Sequence, residues 1–340
     1  MHLILHMGPS KTGSSAIQVA LHQNKDVLSQ HGIHMTKTSG HDLCFRYRYS
    51  KKLPPKMERR FGSLEQMVSR AEEEWQKFEA EVHENKYETV IVSSEDIPSA
   101  KLRDDLVRRL QKSFDKITGI LYFRDPVDLY ISELNQRIRH GLRFRHAPTP
   151  VQYKYRHLEF AEWFTSLAGR DALVTRNFDR ANLKDENVVS DFFDIIEKTC
   201  RVNIDFKIPS APVNPSLTGA ATTWMFSFNE ILDRRIKRIN KDILDRRSDV
   251  IKKLRHSETV SKHEKLRLTD PELQAVIRQN AAADMKIINE KYLQGQVPLN
   301  IGNHQPVELT QEQARDRMRE WLLGYMTPEA VSDVTRELLS

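Results

Sequence analysis

The chain has 340 residues, 39% hydrophobic and 29% charged, with a formal net charge of +6. That balance excludes a disordered or collagen-like chain and suits one or two globular domains able to bury a core without covalent staples. Two cysteines, Cys44 and Cys200, exclude a disulfide framework and a cysteine-based metal cluster, and the modest basic excess fits an anionic partner without choosing among nucleotide, nucleic acid, acidic glycan and membrane surface.

Residues 2–7 (HLILHM) form a short apolar run ending at Gly8-Pro9 and read as a buried first strand. The stretch Leu3 to Met7 is too short for a signal peptide and carries His6; no run approaches the roughly 18 apolar residues of a membrane span, so a cytoplasmic protein is expected. A helix is expected from about Gly13 to Gln30, with Ile17, Ala20, Leu21 and Leu28 on one face and Gly32 just beyond. Residues 37–62 read as irregular and basic, and 63–85 as a charged helix. Residues 89–93 (TVIVS) give the second strand, and Pro98-Ser99 lead into a helix ending near Ser113. Residues 117–123 (ITGILYF) are the third strand. Asp125-Pro126 opens a helix to about Arg139, since proline is tolerated in a first turn. A long loop over 141–157, a helix over 158–168, a fourth strand over 172–176 (ALVTR) and a helix over 184–199 follow.

Strands alternating with helices predict an α/β fold: a parallel sheet covered by helices on both faces. Beyond Pro215 the pattern changes to charged helices over 217–256 and 271–293, a linker over 294–309, and one or two short helices over 310–340. The expected organisation is therefore a core over 1–215 and a helical C-terminal extension over 216–340.

The segment Gly8-Pro9-Ser10-Lys11-Thr12-Gly13-Ser14-Ser15 sits where the first strand gives way to a helix. Glycines let the backbone turn tightly and aim several N–H groups at one anion, and the helix N-terminus adds positive potential. The hydroxyls of Thr12, Ser14 and Ser15 add donors. An ATP-binding loop needs lysine directly after the second glycine; here Ser14 holds that place and the lysine comes earlier, at Lys11. A lysine inside the loop can instead reach a bridging oxygen of a bound anhydride.

The string KTGSS at residues 11–15 resembles the 5′-phosphosulfate loop of sulfotransferases, which reads lysine, serine or threonine, glycine, then two hydroxyl residues. HMGPSKTGSSAIQ is similar to the bacterial and carbohydrate-type variant; Ala16 stands where cytosolic steroid and phenol enzymes have tryptophan. The family's second signature is an arginine ending a strand, a proline two residues on and a serine eight residues on. Arg124, Pro126 and Ser132 in YFRDPVDLYISEL reproduce it. The resemblance covers roughly residues 1–215 and implies a P-loop-like sheet with 3′-phosphoadenosine 5′-phosphosulfate (PAPS) as sulfuryl donor and no required metal. It further implies Ser10, Lys11, Thr12, Gly13, Ser14 and Ser15 around the 5′ end, and Arg124 and Ser132 at the 3′-phosphate. Arg176-Asn177-Phe178-Asp179 and Asn214-Pro215-Ser216-Leu217 are similar to weaker family elements and receive no chemistry.

Sulfuryl transfer is an in-line displacement with a loose transition state, so positioning and electrostatics carry most of the catalysis. Lys11 is expected to stabilise charge on the leaving phosphate. The acceptor proton needs a base, and Ser93-Ser94-Glu95-Asp96-Ile97-Pro98 at the end of the second strand is where relatives place a histidine or a glutamate. Glu95 is the expected base and Asp96 the runner-up; the dipole of a following helix also explains both acids.

Residues 134–158 contain no acid and hold Arg137, Arg139, Arg143, Arg145, Lys154 and Arg156. They read either as a solvated loop or as a cleft wall facing the donor or an anionic acceptor. A glycan hydroxyl or amine is the expected acceptor. Two alternatives compete. A small-molecule kinase needs the lysine that position 14 lacks, and a nucleic-acid binder needs stacking aromatics and a module that the basic run lacks.

Overall fold

A computed structural model describes residues 1–85, 87–209, 216–235, 241–302 and 305–339. The chain divides into two units. The first comprises Met1–Arg124, Arg156–Val213 and Ile287–Leu299; the second comprises Asp125–Tyr155, Asn214–Lys286 and Asn300–Ser340.

In the first unit five short apolar runs become strands: β1 (His2–His6), β2 (Ile33–Met35), β3 (Thr89–Ser93), β4 (Lys116–Phe123) and β5 (Leu173–Asn177). Every pairing is parallel and the order is β2-β3-β1-β4-β5. Ile4 of β1 lies opposite Ile91 of β3 and Thr118 of β4. Because β1 sits between β3 and β4, the segments leaving the C-terminal ends of these three strands collect at one sheet edge, where ligands of open α/β sheets bind.

The helices of this unit are α1 (Ser14–Gln23), α2 (Lys25–Gln30), α3 (Gly40–Arg48), α4 (Pro55–Phe61), α5 (Leu64–Asn85) and α6 (Arg103–Ser113). Two helices from its second segment, which here keep their place in chain order, are α8 (His157–Ala168) and α9 (Val188–Cys200); α7 (Pro126–Arg139) belongs to the second unit. Strand alternation sends Ile4, Ile91, Ile120 and Tyr122 to one face, where they pack with Ile17 and Leu21 of α1 and Phe192 and Ile196 of α9. On the opposite face Phe164 of α8 fills the space over Gly119: a Cβ there would stand 2.6 Å from its ring. The α/β fold with a parallel sheet covered on both faces is therefore as expected.

Three local expectations differ. The helix expected over 13–30 breaks at Asn24, whose buried amide donates to the Ala20 and Lys207 carbonyls (2.8 and 2.9 Å) and accepts from the Lys207 N–H (2.8 Å). Residues 37–62 are not irregular: they hold α3, started by Ser39 accepting from the Asp42 N–H, and α4. The strand β2 escapes pattern reading because it has three residues and pairs only with β3.

The second unit is helical: α7, α10 (Gly219–Arg235), α11 (Lys241–His256), the larger part of α12 (Pro271–Lys291), α13 (Gln311–Leu323) and α14 (Pro328–Leu339). Asp125 caps α7 by accepting from the Val127 and Asp128 N–H groups, and its other oxygen accepts from Arg278 at 2.6 Å. Asn229 ties α10 to the end of α7 by donating to the carbonyls of Ile138 and Leu142, each at 2.9 Å. The boundary expected at residue 215, and Asn214-Pro215 of the weak Asn-Pro-Ser-Leu element, lie outside the described residues. Among the described residues no helix is long and apolar enough to cross a membrane.

Candidate active site

The loop from Gly8 to Gly13 joins β1 to α1 at the C-terminal edge of the sheet. Gly8 has no room for a side chain: a Cβ would stand 2.0 Å from Ser14 Oγ and 2.9 Å from the His6 ring. Gly13 turns the chain into α1 at φ +83°, a left-handed conformation natural to glycine, and a Cβ there would meet Val188 at 2.8 Å and Phe178 at 3.2 Å. Lys11 also lies in the left-handed region, at φ +71°, where an L side chain is strained. The loop thus takes its shape from tertiary packing on two sides.

The sequence-predicted loop residues divide by role. Thr12 is fully buried and its hydroxyl donates to the Pro9 carbonyl at 2.7 Å, so it braces the loop from within. Ser14 is buried and its Oγ has no hydrogen-bond partner among the described residues. Ser15 is exposed on the first turn, and Ser10 and Lys11 are partly exposed at the loop tip. No side chain caps α1; the Ala16 and Ile17 N–H groups donate to the Gly13 carbonyl (2.9 and 3.1 Å), and the positive end of the helix dipole lies at the loop. An orphaned buried hydroxyl, uncapped N–H groups and a loop lysine make a donor set that fits an anion such as phosphate or sulfate.

Arg124 leaves the end of β4 and reaches across to this loop. Its Nη1 donates to the Lys11 carbonyl at 2.6 Å, and its guanidinium lies over the Phe178 ring at 5.4 Å. Phe178 also abuts Gly13, so one aromatic ring keys Arg124 and the loop together; the arginine-aromatic-acid element carried this signal in the sequence, without a role. The Arg124 N–H donates to Nδ1 of His157, at 3.3 Å. Burial and the Arg124 charge push the His157 imidazole down to about 3, so it is neutral. His6, at the last position of β1, is fully buried and likewise pushed down to about 3 by burial. Its Nδ1 bonds Ser93 Oγ at 2.8 Å, while Nε2 has no partner among the described residues. Gln18 of α1 donates to the carbonyl and Oγ of the same serine at 3.4 and 3.3 Å.

The end of β3 carries both acids of the sequence reading, and the structure separates them. Glu95 is exposed. Asp96 is buried and one of its oxygens, Oδ2, accepts from both Arg48 Nη1, at 3.0 Å, and His41 Nδ1. His41 and Arg48 come from α3, in the stretch that read as irregular, and no motif marked them. Cys44 of the same helix points its thiol at Ser94 Oγ, 3.6 Å away, and burial pushes that thiol up to about 12.

Ser132 lies on α7, partly buried, in the second unit. The basic run 134–158 covers the end of α7 and two short 3₁₀ turns, Phe144–His146 and Pro150–Gln152. One of its cations, Arg156, pairs with Glu159. Another, Arg139, is held below the ordinary arginine range by burial and by the Arg255 charge.

No family model matches this sequence, and no curated protein matches it. Among solved structures, a sulfotransferase from Alicyclobacillus acidocaldarius aligns with 71% of this chain and 97% of its own, at 15% identity and a TM-score of 0.40. So slight a likeness has no bearing on the chemistry of the site.

Proposed function

We propose that the chain is a cytoplasmic sulfotransferase that moves a sulfuryl group from PAPS onto a hydroxyl or amine, on a glycan acceptor. The observation that carries this reading is the coupling of two anion-recognition elements at one sheet edge: Arg124, at the end of β4, holds the carbonyl of the loop lysine after β1. In this reading the N–H groups of the α1 first turn and Ser14 Oγ hold the 5′-phosphosulfate. Lys11 neutralises charge growing on the leaving phosphate oxygen. Ser10, Thr12, Gly13 and Ser15 complete the loop, with Thr12 acting through its brace on Pro9. Arg124 contributes to the 3′-phosphate site; Ser132 joins it on the ground of the sequence spacing. The acceptor must lose its proton to a base near the end of β3; Glu95, the candidate offered by the sequence, is exposed there.

Calorimetry tests the nucleotide half of the reading. Adenosine 3′,5′-bisphosphate is expected to bind far more tightly than 5′-AMP, since charge-assisted bonds to one ionised group contribute roughly 1.5–3 kcal/mol each. Arg124→Ala is expected to erase most of that preference. Equal affinities in the unmutated protein would overturn the assignment.

A further inference from the structure

We propose that His41, held through Nδ1 by Asp96, is the group that takes the proton from the acceptor; this inference rests on the sulfuryl-transfer reading above. Three observations carry it.

The first is position. Gly40 begins α3 pressed against the end of β3, where a Cβ would stand 2.5 Å from the Ser93 carbonyl oxygen and 3.1 Å from Ser94. His41 is therefore fixed beside the C-terminal end of β3, which neighbours β1 in the sheet. Ser93 is itself bonded to His6 of β1 and to Gln18 of α1, so the phosphate loop and the ground under His41 share one hydrogen-bonded base.

The second is orientation. The Asp96 carboxylate is buried and receives both His41 Nδ1 and Arg48 Nη1. A ring whose Nδ1–H donates to a carboxylate carries its lone pair on Nε2. The His41 side chain is 48% exposed, its ring packs edge-on against Phe45 at 4.6 Å, and no hydrogen bond occupies Nε2 among the described residues. This is the arrangement of a base held by an orienting acid.

The third is chemical contrast with the neighbouring acids. Asp96 is committed to two donors. Glu95 is exposed and no contact among the described residues fixes its direction.

The acceptor O–H or N–H proton passes to His41 Nε2 while the acceptor atom bonds to sulfur. The bond from sulfur to the 5′-phosphate oxygen breaks, and its electron pair stays on that oxygen, where Lys11 meets it. The imidazolium then returns its proton to solvent. Asp96 is a positioning residue in this scheme.

Two readouts test it on the full chain. The first is independent of turnover: ¹⁵N spectra of histidine-labelled protein, with the His41 signals assigned by their loss in His41→Gln. Neutral His41 is expected as the Nδ1–H form, shifting toward the Nε2–H form in Asp96→Asn. The second is PAPS turnover with water as acceptor, followed as release of adenosine 3′,5′-bisphosphate. His41→Ala is expected to lower kcat by about 10²-fold or more with little change in the KM for PAPS. Added imidazole is expected to restore part of the rate. An Nε2–H ring in the unmutated protein, or a near-normal kcat in His41→Ala, would overturn the inference alone. Failure of the unmutated protein to bind adenosine 3′,5′-bisphosphate would overturn the transferase reading and this inference with it.

Discussion

A lysine held at φ +71° carries a backbone cost of about 1 kcal/mol that glycine would avoid. In Lys11 the strained backbone places its carbonyl on Arg124, and the residue stands at the tip of the loop between β1 and α1. Lys11→Gly is therefore expected to leave thermal stability level or raise it by up to about 1 kcal/mol. In the proposed reaction, Lys11→Gly and Lys11→Ala are both expected to lower kcat by about 10²–10³ with the KM for PAPS little changed, because the charge that Lys11 would meet there develops only in the transition state. Turnover of PAPS and a melting curve on the same preparations check both halves; a near-normal kcat would reduce Lys11 to an anchor. The strand-to-helix turn at this loop was legible because its residue types and glycine spacing are local. The role of Thr12 was not, since only the folded loop shows its hydroxyl turned inward to Pro9.

Between elements, one ion-pair cluster joins α6 to α5. Arg109 of α6 receives two glutamates that lie two turns apart on α5. It donates to Glu72 at 2.7 and 2.8 Å and to Glu79 at 2.7 and 3.0 Å, with its guanidinium 4.5 Å from the Trp75 ring. Hydrogen bonding to Arg109 holds the Glu72 carboxyl below its usual range. The arginine side chain is only 19% exposed, so screening is incomplete. Arg109→Ala is expected to lower unfolding free energy by about 1–3 kcal/mol, and Arg109→Lys to recover less than half, because a point charge cannot replace a double fork. The urea midpoint measures this; an unchanged midpoint in Arg109→Ala would mean that the pairs are screened to nothing. The α5 pattern was legible as a charged helix, whereas the partner of its glutamates depends on where α6 packs.

For the whole molecule, acid is the expected weakness. His6 and His157 are fully buried and held at about 3, against an ordinary value of 6.5. The unfolded chain gains a proton on each histidine below about 6.5, while the folded chain resists until near 3. Stability is therefore full above about pH 6.5 and falls as pH drops through that window. The slope is at most about 1.4 kcal/mol per pH unit for each histidine. Melting temperature measured from pH 8 to pH 4 is expected to fall steadily below 6.5, and His6→Asn to reduce the dependence. A flat profile between pH 6.5 and 4.5 would show that these rings are not buried as neutral groups.

The sequence by itself determined the strands β1, β3, β4 and β5, the alternation of strands with helices, and the position of the glycine-bearing loop after β1 and of Arg124 after β4. These are short-range features: apolar period, glycine placement and residue type at a strand end need only a few neighbours to act. Tertiary structure decided the rest. It broke the first helix at Asn24, because that amide bonds to Lys207 far along the chain. It made a helix of residues 40–48, because Leu43, Cys44, Phe45 and Tyr47 find a core that their charged neighbours disguise. It also divided the roles of the two adjacent acids. Glu95 and Asp96 are equal in a sequence, but successive residues leaving a strand face different surroundings, and burial beside Arg48 and His41 gave only Asp96 a partner to orient.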